Sequence, residues 1–132
     1  MVGLSNVTVE QLETAREYID VATVQNRYNI ANRETEPVLD ACEDYGIGFI
    51  PWFPLAAGEL DEISGVVDDV VASYDVTRHQ VAIAWLLEYS DVTLPIPGAS
   101  NIKHLEENVA ATSISLSEED LTRLTEVGER AE

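Results

Sequence analysis

Short apolar runs alternate along this chain with stretches whose apolar residues recur every three or four positions. The runs are Val2-Gly3-Leu4-Ser5, Val21-Ala22-Thr23-Val24-Gln25, Ile47-Gly48-Phe49-Ile50-Pro51 and Val92-Thr93-Leu94-Pro95-Ile96. They are rich in β-branched residues and lack strict alternation, as strands covered on both faces do. Between the first two runs, Val9, Leu12, Ala15, Tyr18 and Ile19 hold helical spacing behind a Thr8–Gln11 capping box. Thr35 and Pro37 open a second helix on Val38, Leu39, Cys42 and Tyr45, closed by Gly46. A flexible stretch, Pro54-Leu55-Ala56-Ala57-Gly58, leads to a helix near 61–74, and a Thr77–Gln80 capping box starts the next. Two more helices are expected, one on Ile102, Leu105 and Val109 and one on Leu121, Leu124 and Val127 behind Ser117.

The expected order is therefore β-α-β-α-β-α-α-β-α-α, with strands about 30 residues apart, the length of a βαβ unit. Such alternation predicts a parallel sheet with right-handed crossovers in one α/β domain, 1–132, without a linker or low-complexity segment. Four strands make either a small open sheet or half of a closed barrel, since a complete (β/α)₈ barrel takes about 250 residues.

Charge changes the picture. Twenty-five acidic residues face seven basic ones, a net charge of −18. Such a chain is expected to repel nucleic acid and anionic membranes. The acids are spread along the whole length, which predicts adaptation to high salt, where screening relieves the self-repulsion, more than an acidic tail. No apolar run is long enough to span a membrane, no signal peptide is expected, and the lone Cys42 fits a reducing, cytoplasmic setting.

In parallel α/β folds ligands collect in the loops beyond the strand ends. Ser5 and Asn6 there could grip a carboxamide or simply shape a turn. Gln25 could cap a ligand amide or bond a neighbouring loop, and Trp52 is a platform for a flat ring or part of the core. Gly98, Ala99 and Ser100 precede a helix whose N–H groups suit a phosphate, and Lys103 and His104 on its first turn suggest an anion or are two solvated side chains. His79 reads as surface and Cys42 as core; no metal-ligand spacing and no Ser-His-Asp set is present.

Five segments in order resemble the aldo/keto reductase family: Gly3-Leu4-Ser5-Asn6; Val24-Gln25-Asn26-Arg27-Tyr28-Asn29; Gly48 through Gly58; Gln80-Val81-Ala82-Ile83-Ala84-Trp85-Leu86-Leu87; and Ile96-Pro97-Gly98-Ala99-Ser100 followed by His104-Leu105-Glu106-Glu107-Asn108. The resemblance implies the C-terminal half of a (β/α)₈ barrel, from the tail of strand five to the final helices, that binds NADP(H) without a Rossmann motif. It implies that Ser5, Asn6 and Gln25 hold the nicotinamide carboxamide and that Trp52 stacks on the ring. Phe53, Leu55 and Gly58 would follow the pyrophosphate along an abbreviated loop. Gly98, Ala99 and Ser100 match the adenosine-phosphate loop, His104 the position near the 2′-phosphate, and Glu107 and Asn108 the adenine edge. Family members often carry lysine or arginine where Gly98 and Ser100 stand, so NAD is the alternative cofactor.

The family's catalytic Asp, Tyr, Lys and His belong to the first half of the barrel, and none of the tyrosines here occupies that motif. The expected function is accordingly NADP(H)-dependent reduction of aldehydes or ketones to alcohols, with this chain supplying the cofactor half and no catalytic residue. The alternative is a non-catalytic nucleotide-binding or structural half-barrel that pairs with itself or with a separate N-terminal half. Half a barrel has two open strand edges and a bare interior face, so poor stability, self-association or origin in a longer gene is expected.

Overall fold

A computed structural model describes residues 1–56 and 58–130; Ala57, within the stretch expected to be flexible, lies outside them, as do residues 131 and 132. Three strands, β1 (Val2–Ser5), β2 (Val21–Arg27) and β3 (Gly48–Trp52), form a parallel sheet in the order β1-β2-β3. Helices α1 (Val9–Arg16) and α2 (Glu36–Tyr45) are the crossovers. A 3₁₀ turn (Glu59–Ile63), α3 (Ser64–Tyr74), α4 (Arg78–Tyr89), α5 (Ile102–Ala110) and α6 (Glu118–Arg130) follow.

Local chemistry explains most boundaries. Thr8 and Thr77 close complete capping boxes with Gln11 and Gln80, satisfying two otherwise orphaned N–H groups at each helix start. Gly46 ends α2 in the left-handed region, φ 65°, where a side chain would be strained. Thr35 precedes α2 but makes no side-chain cap; its hydroxyl donates instead to the Arg27 carbonyl at 2.8 Å. α1 is shorter than its apolar spacing predicts, because Tyr18 and Ile19 lie beyond its end and are exposed.

The expected fourth strand is corrected: the described residues contain three paired strands, and 92–96 makes a lone parallel bridge, Thr93 to Phe49. Phe49 N donates to the Val92 carbonyl at 2.9 Å and Leu94 N to the Phe49 carbonyl at 2.8 Å. The ladder stops there for a covalent reason: Pro95 and Pro97 carry no N–H to continue it.

The core lies on the helix-covered face. Val24 and Tyr28, spaced four residues apart on and just beyond β2, are wholly buried with Phe49 of β3 and Trp85 of α4. Tyr28 meets Phe49 edge-on at 5.7 Å and lies over Trp85 at 6.1 Å, and Trp85 stacks on Tyr89 at 4.5 Å. On the opposite face of β2, Thr23, Gln25 and Arg27 are only half-buried, so this face is open. α5 also turns apolar residues outward: Ile102, Leu105 and Val109 are 74%, 54% and 62% exposed. A cavity of about 340 Å³ beside it, between α4 and the two prolines, is lined by Ile83, Leu87 and Leu105 among others.

Candidate functional site

Sheet register brings three of the sequence-predicted residues to one end of the sheet. Ser5 is the register partner of Gln25, Gln25 of Ile50, and Arg27 of Trp52. β2 runs two residues past its expected end, so Gln25 sits within the strand. Neither the Ser5 hydroxyl nor the Gln25 amide makes a side-chain hydrogen bond among the described residues; Asn6 N donates to the Gln25 carbonyl at 2.9 Å. Asn6 adopts a left-handed φ of 54°, and its side-chain oxygen accepts from the Trp52 indole N–H at 2.9 Å. Trp52 is therefore half-exposed at the strand end and outside the core cluster.

Two asparagines fix this geometry. Asn26, on the buried face of β2, accepts from Val7 N at 3.0 Å and donates to the Val7 carbonyl at 2.8 Å, so its amide pins the loop that carries Asn6. Asn29, also buried, accepts from Ala31 N and Asn32 N and donates to the Phe53 carbonyl at 3.1 Å and to Glu59 Oε2 at 3.1 Å. The loop after β3 is thereby tied to the loop after β2. Phe53 and Ala56 are strained in the left-handed region, with φ of 59° and 51°, and Gly58 takes φ 84°, which glycine adopts freely. Phe53 and Gly58 are exposed and Leu55 is half-buried. The guanidinium of Arg27 pairs with Glu59 and lies 5.2 Å from the Phe53 ring centre and 6.0 Å from that of Trp52.

Gly98, Ala99 and Ser100 form a second, exposed group. Because the 92–94 segment bridges parallel to β3, the chain leaves it toward the same end of the sheet as Gln25 and Trp52. Nothing lies within 4 Å of the position a Cβ would take on Gly98. α5 is capped by Asn101, whose side chain accepts from His104 N at 2.9 Å; the His104 ring lies 3.3 Å from the Asn101 amide. Lys103 faces Glu107 one turn on at 3.9 Å, and the Glu107 carbonyl accepts from Gln80 Nε2 at 2.9 Å. Asn108 Nδ2 is buried without a hydrogen-bond partner among the described residues. No hydrogen bond joins this group to the loop after β3 among those residues.

The sequence profile of the aldo/keto reductase family matches residues 1–129. The chain belongs to this family. A Schizosaccharomyces pombe protein described as an uncharacterized oxidoreductase is 48% identical over 127 residues, covering 96% of this chain and 42% of that protein. Pyridoxine 4-dehydrogenase of Escherichia coli is 46% identical over 123 residues, covering 93% of this chain and 43% of the enzyme. An aldo/keto reductase from Klebsiella pneumoniae, solved with NADP and acetate, superposes with a TM-score of 0.86 at 29% identity, covering 95% of this chain and 47% of that one. The chain thus spans less than half the length of the relatives it matches.

In this member of the aldo/keto reductase family, two residues outside the predicted site also carry notable chemistry. Arg33 and Glu36 form an ion pair behind the strand ends, with side chains 1% and 23% exposed, to which the Tyr89 hydroxyl also bonds. Partial burial works against ionisation of Glu36, but hydrogen bonds from Arg33, Tyr89 and Tyr28 outweigh it and hold the carboxyl below its ordinary value. Burial pushes the Tyr28 and Tyr89 hydroxyls well above the usual phenol range, so both stay protonated. Burial likewise raises the Cys42 thiol to about 11, and His79 lies exposed on α4. Asn26, Asn29 and Arg33 follow an apolar run in sequence, and polar residues so placed were the available signal for their positioning roles.

Proposed function

We propose that this chain is the cofactor-holding half of an aldo/keto reductase, acting in the NADP(H)-dependent reduction of aldehydes or ketones to alcohols. The observation that carries the reading is the cradle of uncommitted polar groups at one sheet end: the Ser5 hydroxyl, the Gln25 amide and the Asn6 Nδ2, beside a half-exposed Trp52. These fit a nicotinamide carboxamide and ring, and the orphaned Asn108 Nδ2 fits an acceptor on adenine. NADPH, when bound there, supplies the hydride. Ser5, Asn6 and Gln25 hold the carboxamide plane, and Trp52, fixed by its bond to Asn6, sets the ring's height. Phe53, Leu55 and Gly58 flank the diphosphate; Gly98, Ala99, Ser100, His104 and Glu107 meet the adenosine end. The Klebsiella relative's NADP supports the cofactor class, while NAD remains the alternative for a loop with glycine and serine where cations are common in the family.

Proton donation to the carbonyl oxygen falls, on this reading, to the first half of the barrel, because the tyrosines Tyr28 and Tyr89 are structural and no lysine is placed beside a strand-end tyrosine. The purified chain should bind NADPH yet oxidise it only at background rate with an aldehyde. Adding a separately produced N-terminal half of a family relative should restore turnover. Turnover by the chain alone, or no NADPH binding, contradicts the proposal.

The exposed apolar residues favour a second, compatible reading, a half-barrel that associates through its open flank. Leu94 and Ile96 are 56% and 48% exposed beside Ile102, Leu105 and Val109. A complementing N-terminal half is the preferred occupant, because a second copy doubles a charge of −18. Light scattering in dilute salt should give a monomer; a stable dimer there favours self-pairing. A cytoplasmic, high-salt setting belongs to the same proposal; the described helices include none long and apolar enough to cross a membrane.

A further inference from the structure

We propose that Arg27 is an additional cofactor contact, a cation that meets the diphosphate beside the nicotinamide and is held ready for it by Glu59. This rests on the cofactor reading above.

A dinucleotide's diphosphate carries two negative charges, yet the residues assigned to flank it, Phe53, Leu55 and Gly58, include no basic one. Only seven basic side chains exist in the chain. Arg78 and Arg123 bond carboxylates on or beside α3, Arg16 and Arg130 sit on α1 and α6, and Lys103 is one turn from Glu107. Arg33 follows β2 but its side chain is 1% exposed. Arg27 differs from all of these. It ends β2, two residues after Gln25 on the same open face, and is paired in register with Trp52. Its side chain is 40% exposed and its guanidinium lies beside the Phe53 and Trp52 rings, between the nicotinamide platform and the loop that would follow the diphosphate.

Its present bonding is incomplete. One Nη meets Glu59, while Nε is buried and has no hydrogen-bond partner among the described residues. An arginine fork has five N–H donors and suits phosphate oxygens bidentately. Glu59 is held independently by Asn29 through its other oxygen, so it stays in place when Arg27 changes partner. Glu59 therefore pre-positions the cation and also competes with the ligand for it.

The two roles give opposite signs to two substitutions. Binding of NADPH and of nicotinamide mononucleotide to the 132-residue chain is measured by Trp52 fluorescence in dilute salt, with thermal melts run alongside. Arg27→Met should weaken both ligands about tenfold, Arg27→Lys less, and Glu59→Gln should tighten both several-fold. A purely structural clasp predicts instead that Arg27→Met and Glu59→Gln weaken binding alike and lower the melting temperature together, which overturns the proposal. Equal affinity of wild type and Arg27→Met overturns it too, while leaving the cofactor reading intact. Absence of binding of either ligand to the wild type removes both.

Discussion

The Trp52 indole N–H donates to the Asn6 side-chain oxygen at 2.9 Å, joining the end of β3 to the loop after β1 across the intervening strand. The bond orients two residues that the proposed function assigns to one nicotinamide, and leaves the Asn6 Nδ2 to donate elsewhere. It also makes Trp52 a reporter, because the other tryptophan, Trp85, is wholly buried.

NADPH should quench the half-exposed Trp52 more strongly than the buried Trp85. Trp52→Phe is expected to reduce the fluorescence change on titration and to weaken binding several-fold, through loss of both ring area and the N–H anchor. Undiminished quenching in Trp52→Phe would place the cofactor elsewhere.

The loop at Gly98, proposed to meet the adenosine end, has room for a cation. With nothing within 4 Å of a Cβ on Gly98, a lysine there meets no steric cost. Gly98→Lys should leave the melting temperature within about 1 °C and raise the preference for NADPH over NADH about tenfold, roughly 1.4 kcal/mol. Competitive titration with the two cofactors checks this.

α6 is docked through a contact that admits no side chain. A Cβ on Gly128 would lie 2.1 Å from the Ile30 carbonyl oxygen. Gly128→Ala should therefore destabilise the fold by about 1–3 kcal/mol despite alanine's better helix propensity. Gly65, exposed on α3 with nothing within 4 Å, should show the reverse sign, a gain of about 0.5–1 kcal/mol. Urea denaturation of the two variants compares them directly.

Acid should release the Glu36 network. Its folded carboxyl is held below the unfolded value near 4.3, so the stability it contributes is present above that pH and lost as pH falls through the folded value. Glu36→Gln removes the nearer of two carboxylates that Arg33 faces, Glu129 lying at 3.8 Å, and should cost up to about 3 kcal/mol at neutral pH. The gap between wild type and Glu36→Gln should narrow below about pH 4. Measuring in about 1 M salt, where the screening length is about 3 Å, suppresses the background of other carboxylates.

Much of this was legible in the chain itself. Capping boxes at Thr8 and Thr77 and the Gly46 terminator are local, and each stands where its short-range chemistry puts it. Ser5, Gln25 and Trp52 could be placed together because parallel register follows from alternating strands and helices. The fourth strand could not: an apolar run with Pro95 reads as β-prone, but hydrogen-bond donors limit its pairing to Thr93. Tyr18 and Ile19 share α1's spacing without its hydrogen bonds, and spacing alone does not say where a helix stops. Asn26, Asn29 and Glu59 act through partners 19 to 32 residues away, contacts that no local pattern displays. The outward apolar stripe of α5 looks like a core face in sequence, and no described residue covers it.

The most direct test of the cradle is amide and indole chemical-shift mapping of the chain on addition of NADPH. The account predicts shifts centred on Ser5, Asn6, Gln25, the Trp52 indole N–H and Gly98 to Ser100, with α3 and α6 unmoved. Shifts confined to α3 and α6, or none at saturating NADPH, would contradict it.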